Sequence, residues 1–445
     1  MRILIIENTW MGGAKYGFFD KTLLTAFSIF PTLYARKMAA ITPKCHTVTV
    51  INERFSKIDF DEPYDIVNIN YTTSTTSRAY EIADKFREKG VPVVLSGSHA
   101  SALPEEAKQH ADSVLFGWGE LNWLQLLEDF QKNKLKPIYN HTKYDKSTRI
   151  PPTDINVPGF VMTGAIEATR GCPYKCDFCP ETNMPGGSQF YTRPVNEVID
   201  EIKSIPQKTI MFYDTSLTIK PEYAKSLFKE MKGLHKKFFC NGNVDVLAHD
   251  KEFVKLSKEA GCVSWLIGFE SFSQKTIDAA GKKTNKIKEY HKAIKNIHEA
   301  GMAVIGSFVF GFDNDTKDVF DTTLAAIKKL EVDVADFCVL TPFPGTPIFK
   351  ELEGEGRILT KDWSKYTMKN VVFEPKGMTA EELLCGVRKM YSEFYSTSYT
   401  VKRIIKSLRL GLYPFFLVLA RNAIANMNSR IIFKNNKKVK NDLFG

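Results

Sequence analysis

Short apolar runs rich in β-branched residues recur along this chain, most of them followed by a helix-length amphipathic stretch, and that alternation leaves few folds open. In the first 130 residues the runs lie at 3–6, 48–51, 66–69, 91–95 and 114–116, with helical patterns at 77–89, 103–110 and 121–130. A second series runs through 165–168, 209–213, 238–240, 263–268, 303–310 and 335–340. Its helical patterns are 195–204, 222–233, 251–260, 274–300, 316–330 and 348–353. Strands that stay apolar on both faces and are separated by helices pair in parallel and are covered on both sides. The chain is therefore expected to be α/β. Its first unit reads as a Rossmann-like parallel sheet. Its second has six βα units, short of the eight that close a full barrel, and so reads as an open partial (βα)6 barrel of the TIM type. Past residue 354 the alternation stops, and 380–395 and 401–428 read as helices. The division is 1–135 for the first sheet, 136–160 for a linker carrying Pro137, Pro151, Pro152 and Pro158, 161–353 for the barrel, and 354–445 for a helical region.

At 445 residues the chain exceeds one core at about 150 residues per domain. Its 43% hydrophobic and 25% charged residues exclude a mostly disordered chain and a polytopic membrane protein. No secretory apolar segment follows the opening MRILIIEN, and eight cysteines without one point to a reducing, cytoplasmic setting. The net charge of +10 is concentrated: ten basic residues and one acid between 400 and 445 account for +9 of it. The body of the protein is nearly neutral, so no nucleic-acid partner is expected.

The chemistry sits after the first strand of the second unit, in Arg170-Gly171-Cys172-Pro173-Tyr174-Lys175-Cys176-Asp177-Phe178-Cys179-Pro180. Cys172, Cys176 and Cys179 stand at C-x3-C-x2-C spacing on one short loop. Thiolates this close can each take a different iron of one [4Fe–4S] cube. Three ligands leave one iron open to an amine and a carboxylate. Zinc is the alternative, but a structural zinc takes four ligands and no histidine lies nearby. Cys240, Cys262 and Cys338 fall in or beside apolar strands, where free cysteine packs as a small hydrophobe, and Cys45 and Cys385 carry no motif.

The cysteine triplet in this position resembles the radical S-adenosylmethionine (SAM) superfamily. The resemblance implies that the open iron chelates SAM. It also implies that one electron, from a flavodoxin- or ferredoxin-type donor, generates a 5′-deoxyadenosyl radical. It further implies a SAM site built from Phe178 beside the adenine, Asp214 in Tyr213-Asp214-Thr215 at the amino group, Glu270 and Ser271 at the ribose and methionyl part, and Thr341 after the sixth strand. Gly306 and Gly311 would let the backbone approach adenine. Taken alone, Glu270 reads as a solvated strand-end acid and the glycines as bulge markers.

The first unit lacks G-x-G-x-x-G, so a dinucleotide site is unsupported. Its segments Ser96-Gly97-Ser98-His99 and Phe116-Gly117-Trp118-Gly119-Glu120 resemble instead the cobalamin-binding domain of class B radical SAM enzymes. That class includes members acting on hopanoids, archaeal lipids and tetrapyrroles. The resemblance puts Gly97, His99, Gly117 and Glu120 around a corrinoid. D-x-H-x-x-G is absent, so no cobalt ligand is named. The function implied is cobalamin-dependent methylation of an unactivated carbon of a hydrophobic or lipid-like substrate. Two alternatives stay open: radical cyclisation, carbon–carbon coupling or rearrangement, and a non-catalytic iron–sulfur interaction protein. Val401, Ile404, Ile405 and Leu408 recur at helical spacing among basic residues. The apolar run at 412–420 is short of the about 20 residues a membrane span needs. A basic amphipathic tail suits peripheral contact with the inner membrane surface, or packing against the barrel.

Overall fold

A computed structural model describes residues 1–8, 33–53, 56–143 and 163–425. The glycine-bearing segment at 9–13, most of the expected linker and the tail beyond 425 lie outside the described residues.

Strands β1 (Arg2–Glu7), β2 (Thr47–Asn52), β3 (Ile66–Asn70), β4 (Val93–Ser96), β5 (Ser113–Leu115) and β6 (Ile138–Tyr139) form one sheet in the order β2-β1-β3-β4-β5-β6. Every pairing is parallel. Alternate residues serve opposite faces, as the two-residue strand period requires. Leu4, Ile6, Val67 and Ile69 share one core with Ala79, Ile82 and Phe86 of helix Thr76–Glu88. Ile3, Ile5, Ile66 and Val94 meet Met38 of helix Tyr34–Ile41 and Trp123 of helix Glu120–Gln131. β6 corrects the expected linker: its first residues complete this sheet.

The second unit contains β7 (Thr163–Ile166), β8 (Thr169–Arg170), β9 (Tyr191–Thr192), β10 (Thr209–Phe212), β11 (Lys237–Gly242), β12 (Cys262–Glu270), β13 (Ala303–Phe310) and β14 (Val334–Val339). Six of these run in parallel in the order β7-β10-β11-β12-β13-β14, the open barrel expected. β8 and β9 form a small antiparallel pair at its rim. Phe212, Phe238, Trp265, Phe269, Phe308 and Phe337 face the surrounding helices in the largest core. On the opposite faces Met211, Phe239 and Val263 meet Leu417, which enters from the C-terminal helix.

Two expected helices are broken by glycines. The stretch at 274–300 is helix Gln274–Ala279, a loop, and helix Tyr290–Glu299, with Gly281 at φ +69°. A Cβ on Gly281 would lie 2.5 Å from the Lys175 carbonyl oxygen, so the chain breaks where it touches the cysteine loop. The stretch at 401–428 is helix Thr397–Ser407 and a second helical segment over 412–425, separated by Gly411 at φ +98°.

Candidate active site

The cysteine loop leaves β8 at Gly171 and ends at helix Pro180–Asn183. Gly171 has φ +78°, and a Cβ there would lie 1.7 Å from the carbonyl oxygen of Gln189. Only glycine fits such a position. The loop is tied from below: Thr182 Oγ1 donates to the carbonyls of Cys172 (2.9 Å) and Tyr174 (2.5 Å). Asn183 Nδ2 donates to those of Cys176 (3.0 Å) and Cys179 (2.8 Å). With the backbone so fixed, the three thiols are free of disulfides and half-buried. Burial raises all three, Cys176 to about 12 and Cys179 to about 11, so they stay protonated until a metal displaces the proton.

This donor set fits a cluster better than a single ion. Zinc at about 2.3 Å from each sulfur would bring tetrahedral thiolates to about 3.8 Å of one another. The three thiols are not gathered within 4.8 Å; among the described residues the ligand group that close is Asp313, Glu351 and Glu355. There Arg357 and Lys376 already pair with the acids. More widely set thiols suit irons at separate corners of a cube.

Beside the loop, Glu270 ends β12 at φ +62°, where the register slips between Gly268 and Glu270. Its carboxylate pairs with Lys282, which the broken helix delivers. A Cβ on Gly268 would lie 2.2 Å from Glu270 Oε1 and 2.6 Å from Lys282 Nζ, so that glycine makes room for the pair. Burial works against the Lys282 ammonium, but the Glu270 carboxylate outweighs it and raises its pKa. Sequence reasoning missed Lys282; its signal was Gly281-Lys282 interrupting a helical period. Phe178 stands nearby, edge-on to Phe312 with ring centroids 5.7 Å apart. Ser271 is buried, its Oγ accepting from Ser273 N at 3.1 Å.

The other expected SAM contacts have structural partners. Asp214 is fully buried and accepts from Thr169 N (2.5 Å), Thr169 Oγ1 (2.6 Å) and Ala168 N (3.2 Å), bracing the strand that feeds the cysteine loop. Its carboxylate is thus tied to the backbone of Ala168 and to Thr169. The space beside Gly306 is taken by Phe308 (2.9 Å) and Phe269 (3.2 Å), and that beside Gly311 by Leu383 (2.7 Å). At these two glycines the space that a side chain would fill is taken by packing. Thr341 is buried and donates to the Val339 carbonyl at 3.2 Å.

The carboxyl ends of the first sheet face the same loop. Gly117, at φ +75°, would with a Cβ lie 2.8 Å from Thr142 and 3.2 Å from the carbonyl oxygen of Pro185, just past the cysteine loop. Glu120 pairs with Arg170, Lys37 pairs with Glu167, and Arg170 bridges to Glu167 at 2.6 Å. The Trp118 ring lies 5.3 Å from the Arg170 guanidinium. Burial would raise the Glu167 carboxyl, but Arg170 and Lys37 hold it at about 2. Gly97, at φ +114°, carries no side chain where Tyr71 O would lie 2.1 Å from a Cβ. His99 is fully buried, with Nδ1 3.3 Å from Thr73 Oγ1 and Nε2 3.2 Å from Glu106 Oε1. Trp363 Nε1 donates to the same Glu106 oxygen at 3.1 Å, so His99 joins a bracket between the first sheet and the chain beyond the barrel. Both its ring nitrogens have partners there.

A partial parallel barrel with a pinned three-thiol loop after its first strand, facing the ligand-binding edge of a second parallel sheet, is the build of an iron–sulfur enzyme. The sequence model of the radical SAM superfamily matches residues 166–327. The bacteriochlorophyllide d C-12(1)-methyltransferase of Chlorobaculum tepidum is 31% identical over 383 residues, covering 82% of this chain and 83% of that protein. The bacteriochlorophyllide d C-8(2)-methyltransferase of the same organism is 32% identical over 390 residues, covering 83% and 85%. The fold is also similar to the solved structure of TsrM from Kitasatospora setae with cobalamin and a [4Fe–4S] cluster bound, at TM-score 0.63 and 16% identity over 79% of this chain and 75% of that one. The chain belongs to the radical SAM superfamily. It is accordingly an enzyme whose cofactors include a [4Fe–4S] cluster and SAM.

Proposed function

We propose that the protein is a cobalamin-dependent radical SAM methyltransferase acting on an unactivated carbon of a hydrophobic substrate. The observation that carries this reading is the facing of the two rims: Gly117 and Glu120 of the first sheet touch Pro185 and Arg170, which flank the cysteine loop. A corrinoid over the first sheet would then share one cleft with SAM. The two bacteriochlorophyllide methyltransferases, similar over most of the chain, support the reaction and a large apolar substrate. When bound, the cluster and SAM supply the 5′-deoxyadenosyl radical and the corrinoid supplies the methyl group. In this reading residues 1–135 carry the corrinoid, 161–353 the cluster and SAM, and 354–445 brace the two. Cys172, Cys176 and Cys179 hold the cluster. Lys282 and Glu270 set the charge beside it, Phe178 and Ser271 border SAM, and Asp214 positions the loop through Thr169. Gly97, Gly117 and Glu120 border the corrinoid and His99 shapes that border. A flavodoxin- or ferredoxin-type protein donates the electron. Because such substrates partition into lipid, the enzyme works in the cytoplasm at the inner membrane surface.

The test is anaerobic reconstitution followed by iron and corrinoid analysis and incubation with methyl-labelled SAM and a panel of tetrapyrroles and polycyclic lipids. About four irons per chain, bound corrinoid and label in a product are expected. Iron without corrinoid, with 5′-deoxyadenosine formed but no label transferred, would move the assignment to cyclisation or coupling. Zinc in place of iron, with SAM intact, would overturn it.

A further inference from the structure

We infer that the C-terminal helices, Thr397–Ser407 and the segment over 412–425, form a rigid ridge that docks the base of the barrel on an anionic lipid bilayer. Ten large hydrophobic side chains are exposed among the described residues, and seven of them are Val401, Ile405, Leu408, Leu412, Tyr413, Phe416 and Leu419. The other three, Leu124, Leu359 and Met368, are scattered. Intervals of three and four residues set each helix's members on one face. Isolated exposed hydrophobes are ordinary; a contiguous set is an interaction surface.

The opposite side of the ridge is anchored. Leu410 and Val418 pack with Ala303, and Leu417 with Met211, Phe239 and Val263. Arg403 is buried, stacks on Phe394 at 3.8 Å, donates to the Phe394 carbonyl at 2.6 Å and to Asn422 Oδ1 at 2.5 Å. Asn422 Nδ2 in turn donates to the Asp333 carbonyl at 3.2 Å, and Arg421 pairs with Asp336 at 3.2 Å. The apolar face is therefore held outward by buried polar contacts.

Charge selects the occupant. Lys402 and Lys237 border the ridge, the latter 5.0 Å from the Tyr413 ring. Lys406 and Arg409 share the single carboxylate of Glu331, which leaves the three with one positive charge. The sequence past residue 425 adds Arg430, Lys434, Lys437, Lys438 and Lys440 against Asp442 alone. Glu331 and Asp336 offset only part of the ten cations in residues 400–445, so two copies meeting through this face would repel, whereas an anionic headgroup layer is complementary. No helix is long and apolar enough to cross a membrane among the described residues, so the ridge lies at the interface. It packs on the amino-terminal side of the barrel, against Ala303 at the start of β13 and beside Lys237 at the start of β11.

The test needs no catalysis, so its failure and that of the methyl-transfer reading are separate. The full-length, reconstituted protein is floated with phosphatidylcholine vesicles and with phosphatidylcholine–phosphatidylglycerol vesicles. Binding to the anionic vesicles at least about tenfold above the neutral ones, weakened by salt, is expected. The variant Leu412→Glu/Phe416→Glu should lose about tenfold of it, with an unchanged melting temperature and iron content, while Leu359→Glu should bind as the parent does. Binding by the double variant equal to the parent's would overturn the ridge and leave the charge alone. No vesicle binding at all would overturn the proposal, as would a concentration-dependent dimer that the double variant abolishes.

Discussion

Gly171 and Asp214 hold the cysteine loop from opposite sides, one by having no side chain and the other by burying a carboxyl group. Gly171→Ala meets two obstacles at once: a left-handed φ costing about 1–2 kcal/mol and a carbonyl oxygen 1.7 Å from the new carbon. The loop must shift, so the variant should reconstitute with at most about half the parent's iron while its far-UV circular dichroism stays the same. Full iron content would show that the loop tolerates the shift. Asp214 makes a pH prediction. Burial, with Glu167 nearby, lifts its carboxyl to about 7 although Thr169 donates to it. An unfolded aspartate titrates near about 3.9, so between those values the native state holds the extra proton. Stability from this group is then fully present at low pH and falls as pH rises through the folded value, by at most about 1.4 kcal/mol per unit. Glu7, raised to about 7, and Asp315, raised to about 6, act in the same direction. Asp214→Asn should flatten the decline by one proton's worth, read by urea unfolding at pH 5, 6 and 7; an unaltered slope would mean that Asp214 is ionised throughout.

Between elements, the decisive contact joins the end of β12 to the loop that interrupts 274–300. Glu270 and Lys282 are both largely buried, and removing one partner of such a pair leaves an uncompensated charge costing about 3–5 kcal/mol. Lys282→Ala and Glu270→Ala should each lower stability by more than the double variant's share. A double-mutant cycle in urea is expected to give a coupling of about 1–3 kcal/mol, and additivity would dissolve the pair. In the sequence the only trace of this was Gly281-Lys282 within the helical period. Residues 274–300 keep a helical period on either side of Gly281, and what breaks the helix is the carbonyl of Lys175, a hundred residues away in the chain. β8 and β9, two residues each, are too short for any periodicity to register. The glycines at 306 and 311 were visible, but the rings of Phe308 and Phe269 and the Leu383 side chain beside them were not, because a missing side chain does not say what lies next to it. By contrast, strands built from continuous apolar runs were legible within a residue or two, and so was the cysteine triplet, since both depend on spacing along the chain.

The arrangement of the whole molecule depends on contacts that no local pattern encodes. Lys37 and Glu167 are 130 residues apart, Glu120 and Arg170 are 50, and Glu106 and Trp363 are 257. The first two pairs form one buried charge cluster in which Arg170 also reaches Glu167, so the first sheet grips the residues that lead into the cysteine loop. Against burial, Arg170 and Lys37 hold the Glu167 carboxyl at about 2, while burial and the neighbouring Arg170 lower the pKa of the Lys37 ammonium. A grip of this kind matters if the cofactor on one sheet must deliver a group to a radical formed over the other, because a misplacement of about 1 Å can cost about 100-fold in rate. Lys37→Met removes the ammonium from the first sheet and leaves Arg170 shared between Glu120 and Glu167. Cluster, SAM site and radical formation lie on the barrel side and should survive the change. Methyl transfer, which spans both sheets, should not. The expected result is 5′-deoxyadenosine at the parent's rate with at least about tenfold less methylated product, measured in one reaction by mass spectrometry. Equal losses in both products would place Lys37 in the general stability of the barrel, and no loss in either would mean that the two rims keep their spacing without it.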